Sequence, residues 1–175
     1  MEQTITTTTT KGIVIALILV LLALVTYFLN IQVNGPLQWI GYAVFLGGII
    51  WSVMSYGKQI NHNSTFGNYF AHGFKVAALV TAIMIIYVII FSFFFPEFKE
   101  KAIVEARKSM QAKNNLTEDQ ITAGLEITRK FFMVFLVGGT LIGYLIFGAL
   151  ASLIGAAVTK KEPSNFAGDI NQIGQ

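Results

Sequence analysis

The sequence contains no cysteine and only two histidines, and it carries few charges, 12% of its 175 residues. The absence of cysteine excludes disulfides, thiolate catalysis, iron–sulfur clusters and cysteine zinc sites. His62 and His72 have no acidic neighbour closer in sequence than Glu97, and we interpret them as a loop histidine and an interfacial histidine. No residue pattern indicates a catalytic, metal or cofactor site, so we expect a protein that is not an enzyme and binds no cofactor.

Most of the charged residues lie between positions 97 and 130, and three long windows carry no charge at all. These windows cover residues 12–57, 76–96 and 131–159, and each is long enough to cross a bilayer. A soluble domain spreads about 25% charged residues over its surface. The pattern therefore excludes a soluble cytoplasmic enzyme and predicts an integral membrane protein.

The chain has a net charge of +3 and a calculated pI near 9.2. Its basic residues are mixed with acidic ones or stand at the ends of apolar windows, as membrane-interface anchors do. A surface that binds the phosphates of a nucleic acid would have its basic residues grouped on one face. We therefore expect no nucleic acid partner and take the lipid bilayer as the surroundings of the chain.

The apolar windows predict an all-α integral membrane protein with four transmembrane helices. An extramembrane helical hairpin, residues 97–130, is expected between helices 3 and 4. A secretory signal peptide is the alternative for the first span, but no small-x-small cleavage site follows it. The expected boundaries are a disordered tail at 1–11, a membrane domain at 12–159 with spans at about 13–29, 37–56, 74–95 and 131–158, and a polar tail at 160–175.

The predicted hairpin has two amphipathic halves separated by an Asn-Asn turn signal. Thr117 followed by Gln120 is typical of a capping box, and Leu116 with Ile121 is typical of a hydrophobic staple. No stop signal follows, so we expect one continuous helix over residues 117–159. The two amphipathic faces should pack together, or one should lie on the membrane surface.

Small residues recur along the second and fourth spans at spacings that let another helix approach closely. The neighbouring helix belongs to this chain or to a second copy, and packing within the chain is the more frequent case. The predicted helix-packing residues are Gly41, Gly48, Ser52, Gly139, Gly143, Gly148, Ser152 and Gly155.

These features favour a small non-enzymatic membrane protein that acts as an accessory or interaction subunit, with a protein partner or as a homo-oligomer. The alternative is a transporter or channel for small solutes or lipids. No charged residue lies at the centre of a predicted span, which argues against proton coupling. The residues predicted to dock a partner are Lys99, Lys101, Lys108 and Lys113.

The distribution of lysines predicts the orientation. The first connection contains no Lys or Arg, whereas lysines flank the spans on the opposite side. This places both termini in the cytoplasm and the hairpin in the periplasm. The hairpin itself argues the other way, since it carries seven basic and six acidic residues.

Several short segments carry a family resemblance. They are STFGNYFAHGFK at 64–75, Pro96-Glu97, LTEDQI at 116–121, Ser152-Leu153-Ile154 and Lys160-Lys161. In this order the chain resembles the bacterial membrane family catalogued as domain of unknown function 4199, over approximately residues 11–161. The resemblance implies a four-helix inner-membrane protein of Gram-negative bacteria. It implies no activity, cofactor or functional residue.

Overall fold

The structure, a computed structural model, describes residues 7–29, 37–112 and 116–159. Over these ranges the regular structure is entirely helical. The helices are α1 (Thr8–Phe28), α2 (Leu37–Gln59), α3 (Phe66–Phe94), α4 (Glu97–Gln111), α5 (Glu118–Lys130) and α6 (Phe132–Val158).

Four of these helices, α1, α2, α3 and α6, are long and apolar enough to cross a membrane. The two amphipathic helices α4 and α5 lie between the third and fourth spans and pack against each other. The predicted fold class is therefore confirmed: an all-α membrane protein with four spans and a hairpin between helices 3 and 4.

Local sequence signals set several helix ends. The Thr65 hydroxyl caps α3 by accepting a hydrogen bond of 3.3 Å from the backbone N–H of Asn68. Pro96 has no backbone N–H and cannot continue α3, so it separates α3 from α4. The predicted capping box at Thr117 is present, with Thr117 and Gln120 each accepting from the other's backbone N–H.

The first helix begins earlier than expected. Residues 8–11 belong to α1, although the sequence placed them in a disordered tail ending at residue 11. The reason is Thr7, whose hydroxyl accepts from the Thr10 N–H at 3.2 Å and whose carbonyl accepts from the Lys11 N–H. This cap draws Lys11 into the bundle.

The expected continuous helix over residues 117–159 is divided at Phe131, where φ is −105° and ψ is 21°. Hydrogen bonds still connect Phe131 to the turns on both sides. The division follows from packing, because α5 pairs with α4 in the hairpin whereas α6 packs against α3. The chain changes its packing partner at this residue.

The four spans pack with α3 at the centre. Helix α3 has its largest interface with α6, α2 contacts both of them, and α1 lies against α2 and α3. The middle of the bundle is apolar. Its buried core consists of Ile15, Ala16, Leu19, Phe45, Ile49, Val76, Ala77, Val80, Met84 and Ala151.

The bundle has two distinct ends. At one, which we call the Thr8 end, the start of α1 contacts α3 and Gly57 lies against Thr159. At the other, the hairpin end, the Tyr27 ring meets the rings of Phe91 and Phe95 at 4.8 and 5.4 Å between centroids. The hairpin helix α4 contacts three spans here, because Lys101 lies over the Tyr27 ring of α1 and Phe98 contacts the rings of Phe91 in α3 and Phe132 in α6.

Candidate functional site

A cluster of polar side chains is buried at the Thr8 end of the bundle. It consists of Thr8 and Lys11 from α1, Ser52 from α2 and His72 from α3, and we call it the polar cluster. Helix α1 brings its first turn here because Thr7 caps it, and Gly12 allows close contact with Leu79 of α3. Three different spans are therefore joined by polar contacts at this level.

His72 lies at the centre of the polar cluster and is 8% exposed. Its Nε2 lies 3.2 Å from the Ser52 hydroxyl and its Nδ1 lies 3.3 Å from the Thr8 hydroxyl. The ring stacks on Tyr56, with centroids 4.2 Å apart and planes 6° from parallel. Because a hydroxyl both donates and accepts, these contacts satisfy the imidazole in either tautomer.

Lys11 is 2% exposed, and its Nζ donates to the backbone carbonyl of Ser52 at 3.3 Å. The ion pairs of the described residues all lie in the hairpin, so no described carboxylate pairs with Lys11. An ammonium group has three donors and is costly to bury without a counter-charge. The polar cluster therefore combines a basic side chain, an imidazole and two hydroxyls in a low-dielectric position.

The sequence interpretation missed this cluster. Lys11 was assigned to the tail, His72 to the interface and Ser52 to helix packing alone. A signal was nevertheless present in α3, where Tyr69, His72, Val76 and Val80 recur at helical spacing and are all buried. That spacing places His72 on the core-facing side of the helix.

The polar cluster does not continue through the bundle. Beyond it the interior is formed by the apolar core, and the Thr81 hydroxyl there donates to the backbone carbonyl of Ala77 at 2.7 Å. The described residues contain no group of three or more metal-binding side chains. The arrangement can fix three helices in register and can hold or exchange protons at one end.

Five of the predicted helix-packing residues lie at close helix contacts. Gly48 lies against Ile15 of α1, Gly148 against Ala77 of α3 and Gly155 against Val53 of α2. Ser52 and Ser152 are fully buried. Gly41, by contrast, has only an ordinary contact with Leu22.

The other two predicted packing glycines, Gly139 and Gly143, have open space where a Cβ would lie. A methyl group added at Gly139 or Gly143 would meet nothing within 4 Å, and the same is true at Gly138. These residues lie in the half of α6 nearer the hairpin, on a side that the other described helices leave open. The GxxxG pair therefore does not lie at a close helix contact within the described part of the chain.

Of the predicted docking lysines, Lys99 and Lys101 lie close to the spans. The Lys99 ammonium is 5.8 Å from the Phe132 ring centroid, and that of Lys101 is 4.8 Å from Tyr27. Lys108 lies further along α4 and pairs with Glu105 at 3.5 Å. Lys113 lies outside the described residues. The structure thus divides these lysines between the membrane surface and the outer part of the hairpin.

Ion pairs between α4 and α5 join the hairpin at two levels. Arg107 pairs with Glu118 at 3.2 Å near the turn, and Arg129 pairs with Glu100 at 3.0 Å near the membrane. Near the turn end of α4, Met110 lies against Gly124 of α5. The hairpin is therefore an ordered unit with contacts along its length.

Comparison with known proteins places the chain in a family. No curated protein and no solved structure gives a significant match. The family model described as Protein of unknown function (DUF4199) matches residues 10–161, which include the polar cluster residues Lys11, Ser52 and His72, all four spans and the hairpin. The chain belongs to this family of proteins of unknown function.

Proposed function

We propose that the protein is a non-enzymatic accessory subunit of a membrane complex and that its hairpin contacts a partner protein. The observation that carries this proposal is the construction of the hairpin, with its two levels of ion pairs and its capping box. A simple connection between two spans is usually short and has no need of such order.

The surface of the hairpin supports the same proposal. Val104 of α4 is 53% exposed and Ile127 of α5 is 54% exposed. Apolar side chains outside the bilayer gain free energy when a partner covers them. Charged residues of both signs surround them, as in the polar rim of a protein interface.

Transport or channel activity is the alternative function, and the interior gives it less support. A pathway for polar solutes needs polar groups along its length, but the middle of the bundle is lined by the apolar core. The hydroxyls of Thr81, Thr140 and Ser152 donate to carbonyls of their own helices. Among the residues that the structure describes, the polar cluster at one end is the feature that favours this alternative.

We place the protein in the inner membrane of a bacterium, with both termini in the cytoplasm and the hairpin in the periplasm. Exposed Lys58 and Lys75 at the Thr8 end support this orientation. Four basic residues of the hairpin lie near the spans and oppose it, namely Lys99, Lys101, Arg129 and Lys130. We give more weight to the first connection, residues 30–36 between α1 and α2, because it contains no Lys or Arg.

Site-specific photo-crosslinking tests the accessory role. A benzophenone amino acid would replace Val104 or Ile127 in the full chain, expressed at native level, and products would be identified by mass spectrometry. We expect both positions to capture the same protein. A control at Leu17, an exposed residue of α1 within the bilayer, should not capture it. Products that contain only this chain or lipid would contradict the proposal.

A further inference from the structure

The outer side of α2 carries a groove of about 340 Å³. Its lining residues recur at intervals of three and four and thus share one face of the helix. This face is opposite the buried residues Phe45, Ile49 and Ser52. The groove is lined by Gly47, Ile50, Trp51, Met54, Ser55 and Lys58.

The groove changes from apolar to polar along α2. Gly47 and Ile50 lie deepest in the span, Trp51 and Met54 follow, and Ser55 and Lys58 lie at the Thr8 end. The distance from Gly47 to Lys58 along the helix is about 16 Å at the standard rise, about half the thickness of the hydrocarbon core. The groove therefore extends from headgroup level to the middle of the bilayer.

Lys58 gives the polar end of the groove a positive charge. Its side chain is exposed, and no carboxylate among residues 7–29, 37–112 and 116–159 forms an ion pair with it. A lysine at headgroup level attracts anionic lipids. The Trp51 indole, 55% exposed, lies about two turns deeper and adds apolar surface beside Ile50 and Met54.

The apolar end has room for a chain. A methyl group built at Gly47 meets nothing within 4 Å, so the glycine leaves a notch on the outer side of the helix. A linear apolar group can lie across such a notch and contact Ile50 and Met54. The occupant thus needs an anionic head and an apolar chain.

We propose that this groove binds one anionic phospholipid, with its phosphate at Lys58 and an acyl chain over Gly47 and Ile50. The site is on the opposite side of α2 from the polar cluster and does not depend on the role of the hairpin. A second copy of the chain or the segment 160–175 would be the other occupants to consider.

Native mass spectrometry of the full chain in mild detergent tests the proposal. The protein would be titrated with phosphatidylglycerol and with phosphatidylcholine of the same acyl chains. We expect one phosphatidylglycerol to bind about fivefold more tightly, the effect of one lysine near an anionic surface. Lys58→Gln should remove this preference, whereas Lys75→Gln, which changes an exposed lysine of α3 at the same end, should retain it.

Gly47→Leu tests the apolar end, because a Cβ at this position meets no atom within 4 Å and the leucine side chain would occupy the notch. It should weaken the binding of both lipids, while Gly138→Leu, at an equally open glycine of α6, should not. The proposal would be overturned if the protein bound the two lipids with equal affinity. It would also be overturned if Lys58→Gln and Lys75→Gln reduced the preference for phosphatidylglycerol equally. A lipid-free dimer that Gly47→Leu dissociates, or lipid binding that rises when residues 160–175 are removed, would overturn it as well.

Discussion

The Lys11 ammonium is enclosed by the bundle and bonded to one carbonyl, so its burial costs free energy. Methionine has a similar length and no charge. Lys11→Met should therefore raise the free energy of unfolding in detergent by about 1 kcal/mol or more. Chemical denaturation followed by circular dichroism measures this change.

Lys58→Met is the matched control, because Lys58 is exposed and its replacement should leave stability nearly unchanged. A clear loss of stability in Lys11→Met would show that Lys11 has an anionic partner in the native protein. That result would change our description of the polar cluster.

The glycines of α6 differ in their surroundings, so substitution by alanine should change stability in opposite directions at different positions. A Cβ at Gly148 would overlap that of Ala77, so Gly148→Ala should destabilise the bundle by about 1–3 kcal/mol. Gly139→Ala meets no neighbour and should stabilise α6 by up to about 1 kcal/mol through helix propensity. Thermal unfolding in one detergent compares the two variants, and equal effects would contradict this packing.

At the scale of elements, α5 depends on its N-terminal cap. Thr117→Ala removes one of the two hydrogen bonds of the capping box and should lower the stability of α5 by about 1 kcal/mol. Because α5 contacts α4 far more than α6, the loss should be local. Hydrogen exchange should accelerate about fivefold in α5 and remain unchanged in α6.

Thr122→Ala serves as the control for this experiment. Thr122 is exposed in the interior of α5, where alanine has the higher helix propensity, so exchange should slow or stay the same. Acceleration in α6 of Thr117→Ala would show that α5 and α6 unfold as one unit despite the division at Phe131.

The sequence predicted the elements through signals that act locally. Charge-free windows located the spans, and the capping box at Thr117 marked the start of α5. The division at Phe131 was not predicted, because it results from the different partners of α5 and α6 rather than from a local signal. The start of α1 was not predicted because a run of threonines has weak helix propensity. The Thr7 hydroxyl nevertheless caps the helix and lets it begin at Thr8.

The sequence did not predict the polar cluster, because the cluster also results from packing between helices. Lys11, Ser52 and His72 are each ordinary residues near a membrane surface, and only the packing of three spans brings them together. Small-residue spacing identified Gly48, Gly148 and Gly155 as helix contacts. The same spacing at Gly139 and Gly143 leads to an open face, so spacing alone does not tell which face is occupied.

At the scale of the whole molecule, the absence of cysteine makes the orientation directly measurable. Single cysteines would replace Ser109 in the hairpin and Asn63 at the Thr8 end, both of which are exposed. With the orientation that we propose, an impermeant maleimide should label Ser109→Cys once the outer membrane is permeabilised. Asn63→Cys should be labelled only after the inner membrane is opened, and the reverse pattern would invert the orientation.

The burial of Lys11 also bears on how the protein is made. Its hydrogen-bond acceptor, Ser52, is 41 residues further along the chain, and His72 belongs to a still later helix. While α1 is being inserted, the place that later encloses this ammonium does not yet exist. Lys11 is then a hydrated charge at the edge of the first span, and in the orientation that we propose it would retain that end at the cytoplasmic surface. In that orientation the same side chain would first guide the insertion of α1 and would become enclosed only after the third span is inserted.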